Sequence, residues 1–342
     1  MTEPKPREGV YDLYWNFAHK RQSAFRKRLG GGARPWSDDP VIREYKFCNV
    51  YRATDRVSQY LIRQIAYSAD NCPPADRLFR LVAFRFFSRI ETWEGLHAIL
   101  GRQPLIADLS DGSLVRALDT ISKAGGPLYT GAFILCAANP YGKSRKYENH
   151  AELFRHMFVL HRIANDILEA QCLGQVFRLL RAYPLMGDFM SYQVAIDLNY
   201  SSLVNFSEND FTCPGPGAVR GLKKVFEHLG EYSPSDAIKW MVDQQDEEFR
   251  RLGHEFPGLW GRNLHAIDCQ GLFCEVDKYC RVAAPELLSG RKRIKAKFNP
   301  LPQLPELFLP PKWNLNEKIQ RDTAGHLTTP PDEQDQPFEL IA

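Results

Sequence analysis

The sequence has no apolar run long enough to cross a bilayer. A transmembrane helix needs about 20 consecutive apolar residues, and the 342 residues contain no such stretch. The first ten residues, MTEPKPREGV, also lack the apolar core of a secretion signal. These two absences predict a cytoplasmic protein with no membrane partner.

The sequence also lacks a large net charge. Its 44 basic and 41 acidic side chains leave a formal charge of +3, so a surface for a polyanion must be local. Two basic runs are candidates: Lys20, Arg21, Arg26, Lys27, Arg28 and Arg34, and then Arg291, Lys292, Arg293, Lys295 and Lys297. Each run fits either a nucleic-acid surface or an ordinary solvated face.

The eight cysteines do not follow the spacing of a disulfide framework or a metal site. The one cluster, Cys269, Cys274 and Cys280, has spacings of four and then five residues. An iron–sulfur cluster would need a fourth, remote ligand. We therefore predict reduced thiols in the core and no metal.

Strand patterns and internal repeats are almost absent. Apolar residues recur instead at spacings of three and four, as for Leu153, Met157 and Leu160, so the predicted class is all-α. We predict a helical domain over residues 1–298, which could divide into lobes of about 1–150 and 151–298. Residues 299–342 hold eight prolines and are expected to form an extended arm followed by a disordered tail.

A Pro-Gly-Pro-Gly corner at residues 214–217 is the sharpest local signal. The glycines Gly215 and Gly217 permit a tight turn, and the prolines cannot continue a helix. The helix that follows carries Lys223 and Lys224. Because a helix N-terminus presents unpaired N–H groups, this corner is a candidate phosphate site. An ordinary corner with solvated lysines is the alternative.

Two pairs of polar residues four apart predict a polar cleft between helices. Asp55 and Gln59 would share one helix face, and Gln193 and Asp197 another. Thr54 is a suitable N-cap for the first of these helices. An amide and a guanidinium stand just upstream of the cap, Asn49 and Arg52. Capping contacts, surface ion pairs or buried networks that only orient helices are the alternative.

Residues 137–144 match the residue spacing of a phosphate-binding loop but lack the flexible backbone that such a loop needs. Lys143 follows Gly142, as in such a loop, but Pro140 and Tyr141 occupy the middle, where flexible backbone N–H groups are needed. No series of predicted parallel strands surrounds the segment. We therefore expect no nucleotide cofactor.

Several irregular motifs together resemble the α-glutamyl/putrescinyl thymine pyrophosphorylase family, whose helical domain also accompanies phage 5-hydroxymethyl-deoxyuridine DNA kinases. The motifs are FCNVYRATDRVSQYL at residues 47–61, GDF at 187–189, Tyr192-Gln193, Asp197-Leu198, Asn205-Phe206, Asp210-Phe211, the 214–217 corner, Asp268 and FCE at 273–275. The similarity covers about residues 10–290. It implies a fold similar to helix-hairpin-helix DNA glycosylases.

The resemblance also implies a role in thymine hypermodification of phage DNA, which protects that DNA from host restriction. In this chemistry a 5-hydroxymethyluracil base is first phosphorylated by a DNA kinase. An amine then displaces phosphate or pyrophosphate. The chain looks like a stand-alone amino acid:DNA transferase of this kind. Its expected partners are DNA carrying a modified pyrimidine, a free amino acid and the upstream kinase, and it would work in the host cytoplasm.

The chemistry of that reaction assigns roles to the residues in these motifs. The incoming amine must lose a proton to a carboxylate, for which the candidates are Asp55, Asp197 and Asp268. Phosphate departure needs cations or N–H groups, and the candidates are Arg52, Arg56, Lys223, Lys224 and the corner of Gly215 and Gly217. A base flipped out of the duplex must be read and stacked, and the candidates are Asn49, Gln59, Gln193, Tyr51, Tyr192 and Trp36.

Three other functions stay open at the level of sequence. A DNA glycosylase would use Asp197 or Asp268 to excise a modified pyrimidine, in repair or in defence against phage. A non-catalytic DNA-binding module would tolerate alanine at all three aspartates. A kinase would consume ATP and depend on Lys143.

Overall fold

The computed structural model describes residues 2–131, 138–287, 293–294, 296–300 and 304–323. Ala137 of the phosphate-loop imitation and Arg291, Lys292 and Lys295 of the second basic run lie outside these residues. Within the described ranges, no helix is both long enough and apolar enough to span a membrane.

The N-terminal half of the chain is a series of helices. Their bounds are α1 (Val10–Leu29), α2 (Pro40–Glu44), α3 (Arg56–Tyr60), α4 (Pro74–Phe87), α5 (Ile90–Leu100), α6 (Ala107–Ser110), α7 (Ser113–Lys123) and α8 (Lys146–Phe154). A short 3₁₀ turn, Arg52–Thr54, precedes α3. Wider π turns extend α3 over Leu61–Ala66 and α8 over Arg155–Leu160.

The second half continues in the same way. Its helices are α9 (Ile163–Glu169), α10 (Leu173–Arg181), α11 (Asp188–Tyr200), α12 (Pro216–Val225), α13 (Pro234–Arg251), α14 (Ala266–Ala283) and α15 (Asn316–Thr323), with a 3₁₀ turn at Pro311–Trp313. In the described part of the chain the only sheet is an antiparallel pair, β1 (Lys5–Pro6) and β2 (Phe226–His228). The predicted all-α class is confirmed.

Local sequence accounts for several helix ends. Pro234 occupies the first turn of α13, and the Ser233 hydroxyl accepts a hydrogen bond from the Asp236 backbone N–H. Gly31 ends α1 with a φ of 72°, a conformation that favours glycine. The corner at residues 214–217 starts α12 as predicted, with Gly215 as its N-cap residue.

The start of α3 differs from the sequence expectation. Thr54 lies in the 3₁₀ turn and its hydroxyl donates to the Tyr51 carbonyl at 2.7 Å, so it does not cap the helix. Asp55 is the N-cap residue instead, but its side chain accepts no hydrogen bond from the first turn of α3. The reason is that this carboxylate is used elsewhere, by the Asn49 backbone N–H at 2.9 Å.

Helices α11 and α14 form the two centres of the core. Every residue of α11 from Met190 to Tyr200 is buried, and this helix packs on α4 and α10. Helix α14 packs on α12, α13 and α1. Because no residue of α11 between Met190 and Tyr200 is exposed, the polar side chains of this helix must find partners inside the protein.

The segment 304–323 lies against this core and includes a helix that the sequence did not predict. Leu307, Leu309, Leu315 and Ile319 of this arm are buried. Proline density masked the signal, although Leu315 and Ile319 have the helical spacing of four residues. We name residues 304–323 the C-terminal arm.

Candidate functional site

Arg52 brings together three other residues singled out in the sequence. Its Nε donates to Gln193 Oε1 at 2.9 Å, and its Nη1 donates to Asp197 Oδ1 at 2.8 Å. Its backbone N–H donates to Asp268 Oδ1 at 3.1 Å. Burial alone would lower the pKa of Arg52, but the Asp197 carboxylate and Tyr200 hold this pKa above its ordinary value. Arg52 is therefore a permanent cation that ties α11 to α14.

Asp197 is enclosed between two arginines. Arg85 contacts it through Nε at Oδ2 and through Nη2 at Oδ1, the latter at 3.0 Å. Arg52 occupies the same Oδ1, and the Asp197 side chain has no exposed surface. A carboxylate held in this way has no free direction for an incoming amine. Its geometry argues for a structural role rather than that of the base predicted from sequence.

Asp268 occupies the first turn of α14 in a different environment. Its Oδ2 accepts from the His265 backbone N–H at 3.1 Å, and only 4% of the residue is exposed. Burial, followed by the nearby Glu208 carboxylate, raises the pKa of Asp268 to about 7, although Arg262 acts in the opposite direction. This carboxyl group can therefore gain or lose a proton near neutral pH.

A cleft of about 280 Å³ opens beside Asp268. It is lined by Asn199, Asn205, Phe206, Ser207, Glu208, Arg262, His265, Lys312 and Trp313. Arg262 Nη2 donates to Glu208 Oε1 at 2.8 Å, and the same guanidinium lies 3.7 Å from the centre of the Trp313 ring. The cleft thus combines an acid, a cation and an aromatic face next to a titratable carboxyl group. We name it the Glu208 cleft.

Lys312 closes one side of the Glu208 cleft and caps the end of α11. Its ammonium donates to the carbonyls of Asn199, Ser201 at 3.0 Å and Val204 at 2.8 Å. Burial lowers the pKa of Lys312 to about 8, an effect that Glu208 opposes and Arg262 reinforces. The arm thus contributes to the cleft through a side chain whose donors are already used.

Asp55 and Asn49 form a separate polar group. Beyond the bond between the Asn49 backbone and Asp55, Asn49 Nδ2 donates to the Thr54 carbonyl at 2.9 Å, and Arg21 Nη2 donates to Asn49 Oδ1 at 2.5 Å. Burial raises the pKa of Asp55 to about 6, although the Asn49 N–H and Arg21 lower it. Asp55 is thus a second titratable carboxyl group, held by the loop that precedes α3.

Other predicted residues have structural partners. The predicted side-chain pair of Gln59 and Asp55 does not form. The Gln59 amide instead donates to the carbonyls of Ala53 at 2.7 Å and Phe308 at 3.2 Å. It also accepts from the Phe308 N–H at 2.8 Å. Gln59 therefore fixes the arm. Arg56 is exposed and pairs with Glu91 at 3.4 Å.

The predicted stacking tyrosines are interior residues. Tyr192 has no exposed surface, and Tyr51 is 2% exposed, with its hydroxyl donating to the Arg262 carbonyl at 2.9 Å. Neither ring presents a face that a flipped base could reach. Tyr51 instead supports the backbone of Arg262, a residue of the Glu208 cleft.

The 214–217 corner is packed rather than open. A Cβ on Gly217 would overlap Cys274 Sγ, and a Cβ on Gly215 would overlap the Phe189 ring. Lys224 is buried and donates to the Asp277 carbonyl at 3.0 Å. Lys223 is exposed. These contacts argue against the predicted phosphate site, because packing of the corner against Phe189 of α11 accounts for Gly215 and packing against Cys274 of α14 accounts for Gly217.

Sequence reasoning missed Glu208, Arg262, Trp313 and Arg85. Glu208 lies between the Asn205-Phe206 and Asp210-Phe211 motifs, so its neighbourhood was marked although the residue was not. The other three had no local signal, because they meet their partners only across long separations. Among the described residues, no group of three or more His, Cys, Asp or Glu side chains could hold a metal ion.

Comparisons with known proteins point to one family. A family model described as the helical domain of 5-hmdU DNA kinase matches residues 8–289. The 5-hmdU DNA kinase of Bacillus phage SP10 is 27% identical over 320 residues, a match that covers 87% of this chain and 49% of the relative. The chain therefore spans about half the length of that curated relative. No solved structure matches the chain, so the similarity to helix-hairpin-helix glycosylases stays a prediction.

Proposed function

Because the chain belongs to the family of the 5-hmdU DNA kinase helical domain, we propose that it acts on a modified thymine base in DNA. The specific reaction that we propose is transfer of an amino acid to 5-phosphomethyl-deoxyuridine. The relative is named as a kinase of 5-hmdU DNA, and phosphorylation of the 5-hydroxymethyl group would create the leaving group that this reaction needs. The product would be a hypermodified thymidine in phage DNA, suited to restriction evasion.

The observation that carries this proposal is the position of the Asp268 carboxyl group, which is hydrogen-bonded to a lining residue of the Glu208 cleft. Asp268 contacts one lining residue of the cleft, because it accepts from the His265 N–H. Burial, and then the charge of a second lining residue, Glu208, raises its pKa to about 7. A proton acceptor for an amine works best when its pKa lies near the working pH. Asp55, at about 6, has a similar pKa, but its carboxylate accepts from the backbone of Asn49, which is not a lining residue of this cleft.

In the proposed step the amine nitrogen attacks the 5-methylene carbon. A carbon–nitrogen bond forms, the carbon–oxygen bond to phosphate breaks, and phosphate leaves with the electron pair. The proton released from the nitrogen passes to the ionised Asp268. Arg262, which lies over the Trp313 ring, supplies positive charge near the departing phosphate.

The test uses DNA that contains 5-phosphomethyl-uracil, a mixture of amino acids, and no ATP. After incubation with the protein, nucleosides from the digested DNA are weighed by mass spectrometry. We expect a nucleoside in which an amino acid has replaced phosphate. The product should be lost with Asp268→Asn and retained with Asp246→Asn, a matched change at an exposed position of α13.

Two other products, the second sought in a parallel assay with ATP, would contradict the proposal. A released free base with abasic DNA would show a glycosylase that uses the same pocket. ATP-dependent phosphorylation of 5-hydroxymethyl-uracil DNA, lost on changing Lys143, would show a kinase. An unchanged yield with Asp268→Asn would exclude Asp268 as the base.

A further inference from the structure

A second cavity, of about 170 Å³, lies between α1, α2 and the loop that joins them. Phe298 and Leu304 border it on another side. The cavity shares no lining residue with the Glu208 cleft. Its polar lining residues include four arginines, one tryptophan and one asparagine: Arg21, Arg28, Arg34, Arg43, Trp36 and Asn49. We name this cavity the arginine pocket.

The charged side chains that line the arginine pocket are all positive. None of its described lining residues is an aspartate or a glutamate. Burial lowers the pKa of Arg28, and the positive charges of Arg21 and Arg34 lower it further. Guanidinium groups bind phosphate through paired N–H bonds. A phosphate in this pocket would therefore relieve the repulsion among the three guanidinium groups.

Trp36 supplies the second requirement for a nucleotide. Its indole N–H donates to the Gly32 carbonyl at 2.6 Å, which fixes the ring. The guanidinium carbons of Arg28 and Arg34 lie 5.1 and 4.9 Å from the ring centre. Both guanidinium groups lie over the ring, so turning them toward a phosphate would uncover a ring face on which a base can stack.

Asn49 connects the arginine pocket with the candidate active site. It lines the pocket, and Arg21 holds its Oδ1. Three residues further along the same loop, Arg52 contacts Asp268 and Asp197. A ligand in the arginine pocket therefore touches the loop that carries the central cation of the candidate active site.

We propose that the arginine pocket binds one nucleotide, with its phosphate on Arg28 and Arg34 and its base stacked on Trp36. The nucleotide is either part of single-stranded DNA or a free mononucleotide, since both present the same phosphate and ring. This site goes beyond the proposed function, because it does not require Asp268 or any transfer chemistry.

The test measures binding by calorimetry to the full chain. The ligands are thymidine 5′-monophosphate, thymidine, inorganic phosphate and a ten-residue oligothymidylate. The double variant R28Q/R34Q should weaken nucleotide binding at least tenfold, and R28K/R34K should weaken it less, because lysine keeps the charge without the paired bonds. The matched control R26Q/K27Q removes two exposed charges from the same helix, outside the pocket, and should change affinity by less than about twofold.

Comparing the ligands distinguishes single-stranded DNA from a free nucleotide and tests whether Trp36 binds the base. Binding of the oligonucleotide at least tenfold tighter than the mononucleotide would identify DNA as the source, and equal binding would identify a free nucleotide. W36A should reduce nucleotide affinity while leaving inorganic phosphate unaffected.

Three results would overturn the proposal: no binding of any nucleotide, equal affinity for nucleotide and inorganic phosphate, or equal losses in R28Q/R34Q and R26Q/K27Q. Thermal unfolding of each variant ensures that a loss reflects the pocket and not the fold. Asp268→Asn should keep this binding, so failure of the proposed transferase function would leave this result unchanged.

Discussion

The three aspartates predicted as possible bases differ in their surroundings more than in their chemistry. Asp197 is neutralised by Arg52 and Arg85 inside the core. Asp268 has backbone N–H partners and a nearby like charge, which together with burial leave its pKa at about 7. An exchange of protons near neutral pH is therefore available to Asp268, whereas the Asp197 carboxylate is occupied by two guanidinium groups.

The pH dependence of the reaction should report the ionisation of Asp268. Only the ionised carboxylate can accept a proton from the amine, so kcat/KM should rise with pH, with a midpoint near the pKa of about 7. Initial rates of nucleoside formation between pH 5 and about 9 measure the profile. Asp246→Asn should keep the midpoint. A flat profile in the wild-type protein would contradict the assignment.

Asp197 should matter for stability. Asp197→Asn removes the charge that compensates Arg52 and Arg85, and loss of one partner from a buried ion pair costs about 3 kcal/mol or more. Urea unfolding should show a decrease of that size in the free energy of unfolding. Asp246→Asn, at an exposed site, should change it by less than about 0.5 kcal/mol. If Asp197→Asn abolishes activity but leaves the free energy of unfolding unchanged, Asp197 instead takes part in the reaction.

At the scale of elements, the contact between α12 and α14 explains Gly217, at the end of the corner, and Gly221. Gly217 and Gly221 are four residues apart and face α14, where a Cβ would overlap Cys274 Sγ and the Phe273 carbonyl respectively. The glycines therefore permit two helices to approach closely. Helix α14 carries Asp268, so this contact also positions the candidate base.

Alanine at Gly221 should separate the two helices. The added methyl group meets backbone atoms of Phe273, which cannot rotate away, so we expect a loss of about 2–3 kcal/mol in the free energy of unfolding. Gly271→Ala is the control, because it lies inside α14 with no heavy atom within 4 Å of the new Cβ. That variant should be more stable by about 0.5–1 kcal/mol. Similar changes in both variants would contradict this packing explanation.

At the scale of the whole molecule, the C-terminal arm connects distant parts of the chain. Gln59 and Arg63 hold its first half, the latter through Glu306 at 3.2 Å. Lys312 caps α11, and Trp260 donates to Asp322 at 2.6 Å. The arm lies outside residues 8–289, the range that the family model matches, yet it contributes Lys312 and Trp313 to the Glu208 cleft.

Lys312→Met should release the arm. The change removes three charge-assisted hydrogen bonds to the end of α11, each of which contributes about 1.5–3 kcal/mol. Amide hydrogen exchange in residues 304–323 should accelerate by roughly tenfold or more. Lys318→Met, an exposed change on α15, is the control and should leave exchange as it is. Equal exchange in both variants would show that apolar contacts alone hold the arm.

Features that depend on neighbouring residues could be predicted from the sequence. Periodicity at three and four residues fixed the all-α class, and the prolines and glycines of residues 214–217 fixed the start of α12. The spacing of four between Gln193 and Asp197 placed both on one face of α11, where both contact Arg52. These signals survive because helix geometry relates residues within one or two turns.

Packing between distant segments determines which of these groups are buried, paired or open. Glu208 pairs with Arg262 across 54 residues, and Arg52 with Asp197 across 145. Lys224, read from sequence as a solvated or phosphate-binding lysine, is buried against Asp277. Burial and distant charges set the pKa of a carboxyl group, and both come from packing between segments that the sequence does not relate. For this reason three equivalent aspartates in the sequence become one structural ion pair and two titratable groups in the fold.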